Sequence, residues 1–410
     1  MKIKRILLLS LTLLAAPCAG AQSLNECLEY ALSHSLRIRR AGLSEEKART
    51  LEKTAFDIGR TELSLSQDPT SGGSPDNAVT LSQEFEFPTV YSGRRKLLEA
   101  GTRVEESKRL LTESELRRDV SSAYCDLLLR RHVTDLLRQN GEILEEFVST
   151  ARARYEEGET GRLEVLGATR MKAENDIRLR EALDLEHEAS LSLRLLMNSG
   201  EEIVPTDAYV CIPEDGGDFS FNRTPEGLLS QSELGQSERS LSLARREGFL
   251  PSFSMGLSRQ FVISGLNPYG VDRSAFDKGN WMGFQAGVSV PLFFGPQRKK
   301  VAAARLDVQM AQAQLEEQRN ASLVRLAAAA DRLGTARDTY GYYLEQALPQ
   351  AGELRQLAGL EYASGNISYS EYIQNLSTAL ETEMAGAVAA DKLNQAIIEM
   401  NFIKGNQVVK

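Results

Sequence analysis

The sequence predicts a mainly α-helical fold with a small β part, and two observations support this prediction. The first is that the long stretch 92–199 contains no proline and is rich in Leu, Glu, Arg and Ala. Proline is excluded from helix interiors because it lacks a backbone donor and clashes with the preceding turn. The second is that paired segments with alternating apolar and polar residues occur twice along the chain, which is typical of β-strands with one apolar face. Long helices attached to a small sheet explain both observations.

The proline-free stretch is predicted to form one long helical hairpin over residues 92–198. Its visible break is the polar turn 155–161, which contains two glycines. At ~1.5 Å per residue, residues 92–155 as a single helix would be roughly 95 Å long. A helix of that length must pack along most of its surface, and the returning arm 162–198 is the expected partner.

Further helix boundaries follow from local signals. Apolar residues at helical spacing predict a helix over residues 24 to about 58, and a threonine–proline start predicts another over 224 to about 248. The first long helix is expected to begin just after Gly93, because Pro88 ends the preceding strand. Pro349 is expected to end or kink the second helical stretch.

Four alternating segments predict four β-strands, each with one apolar and one polar face. In one of them, Leu81 and Phe85 alternate with Ser82 and Glu84. The strands are predicted at about residues 61–67, 78–87, 252–261 and 282–293.

The two halves of the chain share one order of elements: helix, strand, loop, strand and long helical hairpin. Residues 22–205 are the first predicted repeat, and residues 206–410 are the second, with its hairpin over 296–403. Duplication of one unit is the simplest explanation of this order.

A constant offset supports the duplication. Tyr155 and Glu164, near the first hairpin turn, match Tyr362 and Glu371, near the second, at one offset of 207 residues. Each half also carries a basic cluster where its second strand leads into its hairpin. The clusters are Gly93-Arg94-Arg95-Lys96 and Gln297-Arg298-Lys299-Lys300.

The N-terminus has the pattern of a secretory signal peptide, predicted over residues 1–21. Basic residues precede an apolar run ending at Ala16, and small residues precede the expected cleavage before Gln22. A lipid anchor at Cys18 is the alternative, although Pro17 stands where a small residue is needed. Removing the signal lowers the net charge of −9 by a further three charges. An acidic chain of this kind argues against nucleic acid as a partner.

Cysteine usage and hydropathy narrow the class of protein further. The cysteines after the signal, Cys27, Cys125 and Cys211, are widely spaced and predict neither a disulfide framework nor a metal site. No cofactor is predicted. Beyond the signal no run of about 20 apolar residues occurs, so no transmembrane helix is predicted.

The strands are predicted to belong to an assembly of several chains. Strands of about ten residues suit a bilayer, but open sheet edges do not survive in lipid. Other copies are therefore expected to complete the sheet, and three chains would give twelve strands around a polar lumen. A soluble sheet edge is the alternative, because it shows the same alternation. The residues expected to face the lumen are Glu62, Glu84, Glu86, Gln285 and Ser289.

A family resemblance is carried by residues 24–43, the two strand pairs, the run 290–293 leading into Gly295, and the hairpin turns 155–166 and 362–373. In the order and duplication of these segments, the chain resembles the TolC family of outer-membrane efflux ducts. The resemblance covers nearly the whole mature length.

This resemblance implies a homotrimer with a twelve-stranded barrel in the outer membrane and a long α-helical barrel in the periplasm. It also implies outer-membrane lipid as surroundings and docking to an inner-membrane pump through a periplasmic adaptor. Residues 54–57 and 85–89 are similar to the cation-efflux branch, whose pumps are of the resistance-nodulation-division type. The implied function is the exit duct of a tripartite efflux system.

The family places its pore constriction and adaptor contacts at the hairpin turns. Glu164 and Glu371 match acidic positions lining the closed pore, and in a trimer each would form a ring of three carboxylates. Gln374 occupies the position where the family pattern would place a second acidic ring, and it carries no charge. Ile367 departs where some members have an arginine that locks the closed state through ion pairs. The lock is therefore expected to rest on Arg162 with Glu164 or Glu371, or to be weaker. A solvated face beside a turn is the alternative for both glutamates.

The expected adaptor contacts are Gly158, Glu159, Thr160, Gly161, Gly365, Asn366, Ile367 and Ser368.

The sequence bears on three other functions. An enzyme is disfavoured, because His34, His132 and His187 are isolated in helical context and no phosphate loop or nucleophile elbow occurs. A periplasmic coiled-coil scaffold would explain the Glu/Arg-rich helices but not the four strands. A duct for type I protein secretion would contain the same elements as an efflux duct and remains an alternative function.

Overall fold

The structure is a computed structural model that describes residues 21–69, 75–209, 212–214, 216–261 and 281–405. Cys18, Cys211 and the predicted signal up to residue 20 lie outside the described residues. The chain divides into two compact units. The helix unit comprises Met1–Ile38, Glu113–Phe219 and Arg325–Lys410, and the sheet unit comprises Arg39–Thr112 and Ser220–Val324. Each unit contains parts of both predicted repeats.

The described elements follow the predicted order, apart from two additional strands of two residues each. The helices are α1 (Leu24–His34), α2 (Leu36–Glu52), α3 (Pro88–Glu156), α4 (Arg162–Met197), α5 (Pro225–Phe249), α6 (Gly295–Tyr342), α7 (Leu348–Ala363) and α8 (Tyr369–Lys404), with a 3₁₀ turn at Phe221–Arg223 and a π-helical turn at Tyr343–Ala347. The strands are β1 (Ala21–Gln22), β2 (Glu62–Pro69), β3 (Pro75–Glu86), β4 (Val204–Pro205), β5 (Ser252–Phe261) and β6 (Trp281–Ser289). Among the described residues, no helix is both long enough and apolar enough to cross a bilayer.

The two strand pairs join into one four-stranded antiparallel sheet in the order β2-β3-β5-β6. The join is the pairing of β3 with β5, in which Leu81 lies opposite Leu257. The prediction that the last strand reaches residue 293 is wrong, because β6 ends at Ser289. Pro291 follows, and a proline cannot donate to a strand ladder.

Two predicted helix boundaries are also wrong. α3 begins at Pro88 rather than after Gly93, because proline is well suited to the first turn of a helix, where its missing donor costs nothing. The helix predicted over residues 24–58 is two helices, because Ser35 adopts an extended conformation (φ −63°, ψ 130°), and the second of them ends at Glu52.

Pro349 disturbs the second helical stretch without ending it. The π-helical turn lies directly before α7, and Pro349 occupies the first turn of α7. A widened turn removes the need for the hydrogen bond that proline cannot donate.

The helical parts of the two halves begin and end at matching positions, all separated by 207 residues. The matching pairs are the helix starts Pro88 and Gly295, the helix ends Glu156 and Ala363, the next starts Arg162 and Tyr369, and the final ends Met197 and Lys404. The caps after these final ends, Asn198 and Gly405, both have left-handed backbone conformations, with φ of 55° and 73°.

The core of the helix unit lies where five helices meet. Fully or nearly fully buried side chains come from α1 (Cys27), α3 (Tyr124), α4 (Leu193), α6 (Leu333) and α8 (Ile398). Their burial fixes the apolar stripes of the long helices against one another, and this packing rather than helix propensity stabilises helices of this length.

The connection after α4 is held on this core by buried amides. Ile203 is itself buried in the core. Asn394 donates from Nδ2 to the carbonyl oxygen of Tyr209 at 2.8 Å. Asn401, seven residues later on α8, donates to the carbonyl oxygen of Pro213 at 3.0 Å. The two asparagines therefore satisfy backbone acceptors that a loop would otherwise turn towards water.

Candidate functional site

The sheet has one wide apolar face, which is exposed. The strand register places Leu63, Leu81, Leu257 and Phe284 in one row across all four strands. Their exposed fractions are 70%, 45%, 50% and 66%. Exposed apolar surface of this extent marks an interaction site in a protein or in a membrane.

The opposite face of the sheet is polar. The register places Glu62 and Gln285 in one row, Glu84 in a second, and Glu86 and Ser289 in a third. All five residues that the sequence predicted to face a lumen therefore share one face. Glu86 differs from the others because its carboxylate oxygens accept from the Arg94 guanidinium at 2.9 and 3.1 Å.

The sheet has two open edges among the residues that the structure describes. β2 pairs only with β3, and β6 pairs only with β5. The outer backbone groups of both strands are therefore available to a further strand.

The first hairpin end, between α3 and α4, turns through Gly158 at φ 81°. Beside the turn, Tyr362 donates from its hydroxyl to a carboxylate oxygen of Glu164 at 2.5 Å. Arg154 donates to the hydroxyl of Tyr362 at 3.2 Å and lies 3.9 Å from the same carboxylate. Only 14% of the Glu164 side chain is exposed. Burial, and then the neighbouring Glu164, raise the pKa of Tyr362 to about 12.

Within one chain Arg162 makes no ion pair with Glu164, and its expected part in closing the assembled pore stays a prediction. Arg162 is exposed at the start of α4, whereas Arg154 occupies the place beside Glu164. The reason is geometric, because Arg154 lies in the last turn of α3 and can reach back over the hairpin turn.

An aromatic cluster that the sequence analysis missed supports this arrangement. Phe147 stacks on Tyr369 with ring centroids 5.4 Å apart, and Tyr362 stacks on Tyr372 at 4.7 Å. Phe147 also contacts Tyr362 edge-on at 5.6 Å. Tyr362 lies at the end of α7, whereas Tyr369 and Tyr372 lie three residues apart in α8. The spacing of these last two is the helical signal that could have predicted part of the cluster.

The second hairpin end, between α7 and α8, turns through Gly365 at φ 75°. Here Glu371 belongs to a capping box: its carboxylate accepts from the backbone and hydroxyl of Ser368, both at 2.8 Å. These hydrogen bonds lower the pKa of the exposed Glu371 carboxyl. Gln374, one turn further, is exposed.

The predicted adaptor contacts all lie in these two turns. Most are exposed, but Thr160 and Ile367 are partly buried, and Ile367 packs against the aromatic cluster. Ile367 therefore contributes to packing at a position where some members of the resembled family have an arginine.

No family model and no curated protein sequence matches the chain. Solved structures do match it. The Campylobacter jejuni CmeC outer membrane channel is 15% identical, with 94% of this chain and 87% of that chain covered and a TM-score of 0.75. CusC, in a study of folding and transmembrane channel formation, is 14% identical, with 94% and 92% covered and a TM-score of 0.78. The open-state MtrE outer membrane channel of Neisseria gonorrhoeae is 17% identical, with 94% and 89% covered and a TM-score of 0.74.

These matches span both halves of the chain and both the helices and the sheet, as the sequence resemblance predicted. The chain has the fold of the TolC-family outer-membrane channels.

Proposed function

We propose that this protein is the outer-membrane exit duct of a tripartite efflux system, which passes substrates from an inner-membrane pump and a periplasmic adaptor across the outer membrane. The observation that carries the proposal is the sheet, with its exposed apolar face and its two open edges. In water both features are unfavourable, whereas in a bilayer with closed edges both are expected.

In a homotrimer the open edges of the sheet would pair with those of neighbouring copies. The outer edge of β6 in one copy would pair with the outer edge of β2 in the next, and three copies would close a barrel of twelve strands. The row of Leu63 and Phe284 would then face lipid, and the row of Glu62 and Gln285 would face the lumen. Antiparallel strands with alternating apolar and polar residues are the pattern of outer-membrane barrels.

The hairpin ends are proposed to form the periplasmic entrance. Their exposed turns around Gly158 and Gly365 are open to contact with an adaptor. In a trimer the exposed Glu371 would form a ring of three carboxylates that attracts cations and repels anions. Glu164 is covered by Tyr362 and Arg154, so its share in such a ring is expected to be smaller.

The fold and the family resemblance support the proposed partners. Outer-membrane channels such as CmeC and MtrE share it, and the family resemblance adds a periplasmic adaptor and a pump of the resistance-nodulation-division type. The negative net charge of the chain argues against nucleic acid as a partner.

The test compares two neighbouring positions of β6. Phe284→Arg would place a charge on the lipid side and should cost ~2–4 kcal/mol near the bilayer midplane. Gln285→Arg is the matched control, because Gln285 is also exposed but lies on the polar face. The measurement is the amount of assembled trimer in the outer-membrane fraction.

In a single chain in water both side chains are exposed, so the two substitutions would be equally harmless. We expect Phe284→Arg to reduce the assembled trimer strongly and Gln285→Arg to leave it nearly unchanged. Equal behaviour of the two variants, or a compact monomer that is stable in buffer without detergent, would refute the proposed function.

A further inference from the structure

One end of the sheet leads directly into the long helices. At this end β3 finishes at Glu86, opposite Ser252 of β5 and Ser289 of β6. α3 then begins at Pro88 and α6 begins at Gly295. Both helices start beside this end of the sheet. The basic cluster of α3 lies within its first three turns, and that of α6 lies within its first two turns.

The basic residues here fall into two groups. Arg94 and Arg95 are used within the unit, since Arg94 contacts Glu86 at 2.9 Å and Glu247 at 3.4 Å, and Arg95 contacts Glu99 at 2.8 Å. By contrast, the exposed Lys96, Arg298, Lys299 and Lys300 make no ion pair with any residue that the structure describes.

Acidic residues are absent from the sequence around the basic cluster of α6. Between residues 282 and 306 there are four Lys or Arg residues and no Asp or Glu, although the chain as a whole carries a net charge of −9. The local positive charge is therefore not a result of average composition, and no acidic neighbour in sequence neutralises it.

The same end of the sheet also exposes large apolar side chains. Val290, Leu292 and Phe293 are 57%, 77% and 85% exposed. They directly follow Val288, which is 64% exposed on the apolar face of the sheet. The apolar surface thus continues past the end of the strand up to the basic cluster of α6.

We propose that Lys96, Arg298, Lys299 and Lys300, together with the exposed Leu292 and Phe293, form a surface that binds the anionic headgroups of phospholipids. We call these six residues the headgroup surface. The inference rests on the proposed insertion of the sheet into a membrane and adds the chemistry of the lipid at its helix-side boundary.

The spacing along the chain fits a bilayer. The headgroup region is ~5–8 Å thick on each side of the hydrocarbon core. Residues 298–300 lie three to five residues after the start of α6, which corresponds to ~5–8 Å at the helical rise. Apolar side chains followed by basic ones form the pattern of segments that lie at a membrane interface.

The positive charge of the headgroup surface favours lipids with negatively charged headgroups. A Lys or Arg near an anionic membrane surface favours binding by about fivefold per residue. Zwitterionic headgroups offer no comparable net attraction, so phosphatidylglycerol should be preferred over phosphatidylcholine.

The test uses the full-length protein reconstituted in bilayers containing spin-labelled phosphatidylglycerol or phosphatidylcholine. Electron paramagnetic resonance gives the fraction of each lipid that is immobilised at the protein surface, and hence their relative association constants. In the triple variant Arg298→Gln, Lys299→Gln, Lys300→Gln, we expect the preference for phosphatidylglycerol to fall by about fivefold or more. The charge-matched control replaces three exposed arginines outside the surface, Arg40, Arg180 and Arg319, by glutamine and should keep the preference.

The outcomes separate this inference from the proposed function. Lipid immobilised without preference in the wild type, or an equal loss of preference in both triple variants, would overturn the headgroup surface while leaving the membrane channel intact. Inorganic phosphate that removes the preference at constant ionic strength would show a site for free anions instead and would overturn it as well. If neither lipid is immobilised, the protein does not insert, and both the inference and the proposed function fail.

Discussion

Gly158 and Gly365 occupy the same place in two helical hairpins, 207 residues apart, and both have left-handed backbone conformations. Three residues later, Gly161 and Ser368 are the N-caps of the following helices. Gly161 has no side chain with which to cap, whereas Ser368 accepts from the backbone of Glu371. The two hairpin ends thus have one backbone path and different side-chain chemistry.

The two matching glutamates show what this difference does. Glu164 lies against Tyr362 and Arg154, with a largely buried side chain, and so contributes to packing inside the hairpin end. Glu371 turns back onto Ser368, caps its own helix and stays exposed. The two hairpin ends share their backbone path at a few positions, such as the left-handed glycines. The two matching carboxylates do not determine this path and have different roles.

The largest difference between the hairpin ends is expected at Gly167 and its counterpart Gln374. A Cβ atom added at Gly167 would overlap the hydroxyl of Tyr369, whereas Gln374 is exposed. Gly167→Val should therefore lower the free energy of unfolding by ~1–3 kcal/mol, as overpacking does. Gln374→Val should change it by about 0.5 kcal/mol or less, as is usual at exposed positions. Urea unfolding of the detergent-solubilised protein, followed by circular dichroism, measures both.

If both variants lost stability equally, the stacking of Tyr369 on Phe147 would not constrain the first hairpin end. Gly167→Ser gives an intermediate size and should fall between glycine and valine if steric overlap is the cause.

The sequence predicted the features that depend on local signals. The first hairpin turn was predicted because two glycines interrupt a long proline-free stretch, and the second because it matches the first at the offset of 207 residues. The faces of the sheet were predicted because alternation assigns Leu81 and Glu84 to opposite sides whatever the partner strand is. The helix start at Pro88 was missed because the proline was interpreted as the end of a strand, although it serves equally well as the first residue of a helix.

Features that depend on distant pairs were not predictable from one sequence. The pairing of β3 with β5 joins strands more than 150 residues apart, and their alternation alone does not specify a neighbour. Similarly, the contact of Tyr362 with Glu164 joins residues 198 positions apart. The offset of 207 matched Glu164 with Glu371, but it could not show that only one of them is covered.

An intermediate effect is expected at the matching tyrosines. Tyr362→Phe removes the donor to Glu164 and the acceptor for Arg154, so a mostly buried carboxylate loses its closest hydrogen bond. The expected loss is ~1–2 kcal/mol in the free energy of unfolding. Tyr155→Phe is the matched control, because Tyr155 is 46% exposed, and it should change stability by about 0.5 kcal/mol or less.

The pH dependence of the same contact has a definite sign. The pKa of Tyr362 is raised from 10.0 to about 12, so its contribution to stability is complete below pH 10.0 and is lost as the pH rises towards 12. The wild type should lose more stability than Tyr362→Phe over this interval. Identical alkaline profiles for the two proteins would show that the tyrosine does not hold Glu164.

The smallest effect on stability, and the most direct one on conduction, is expected at the two glutamates. Given the proposed trimer, Glu371→Gln should reduce the cation selectivity measured in planar bilayers by more than Glu164→Gln does, because only Glu371 has an exposed carboxylate. Equal effects, or a larger effect of Glu164→Gln, would mean that the carboxylates rearrange when the hairpin ends assemble.

The pH dependence of selectivity sharpens this test. Hydrogen bonds from Ser368 hold the pKa of Glu371 below its ordinary value of 4.5, so the carboxylate remains charged as the pH falls to 4.5 and is neutralised only below it. The capping contribution to stability follows the same course, because it is present above pH 4.5 and is lost as the pH falls through the lowered pKa. Ser368→Ala removes the hydroxyl donor and keeps the backbone donor, so the loss of selectivity should move to higher pH. A profile that does not move would place the selective charge on another residue, and it would leave Glu371 as a helix cap alone.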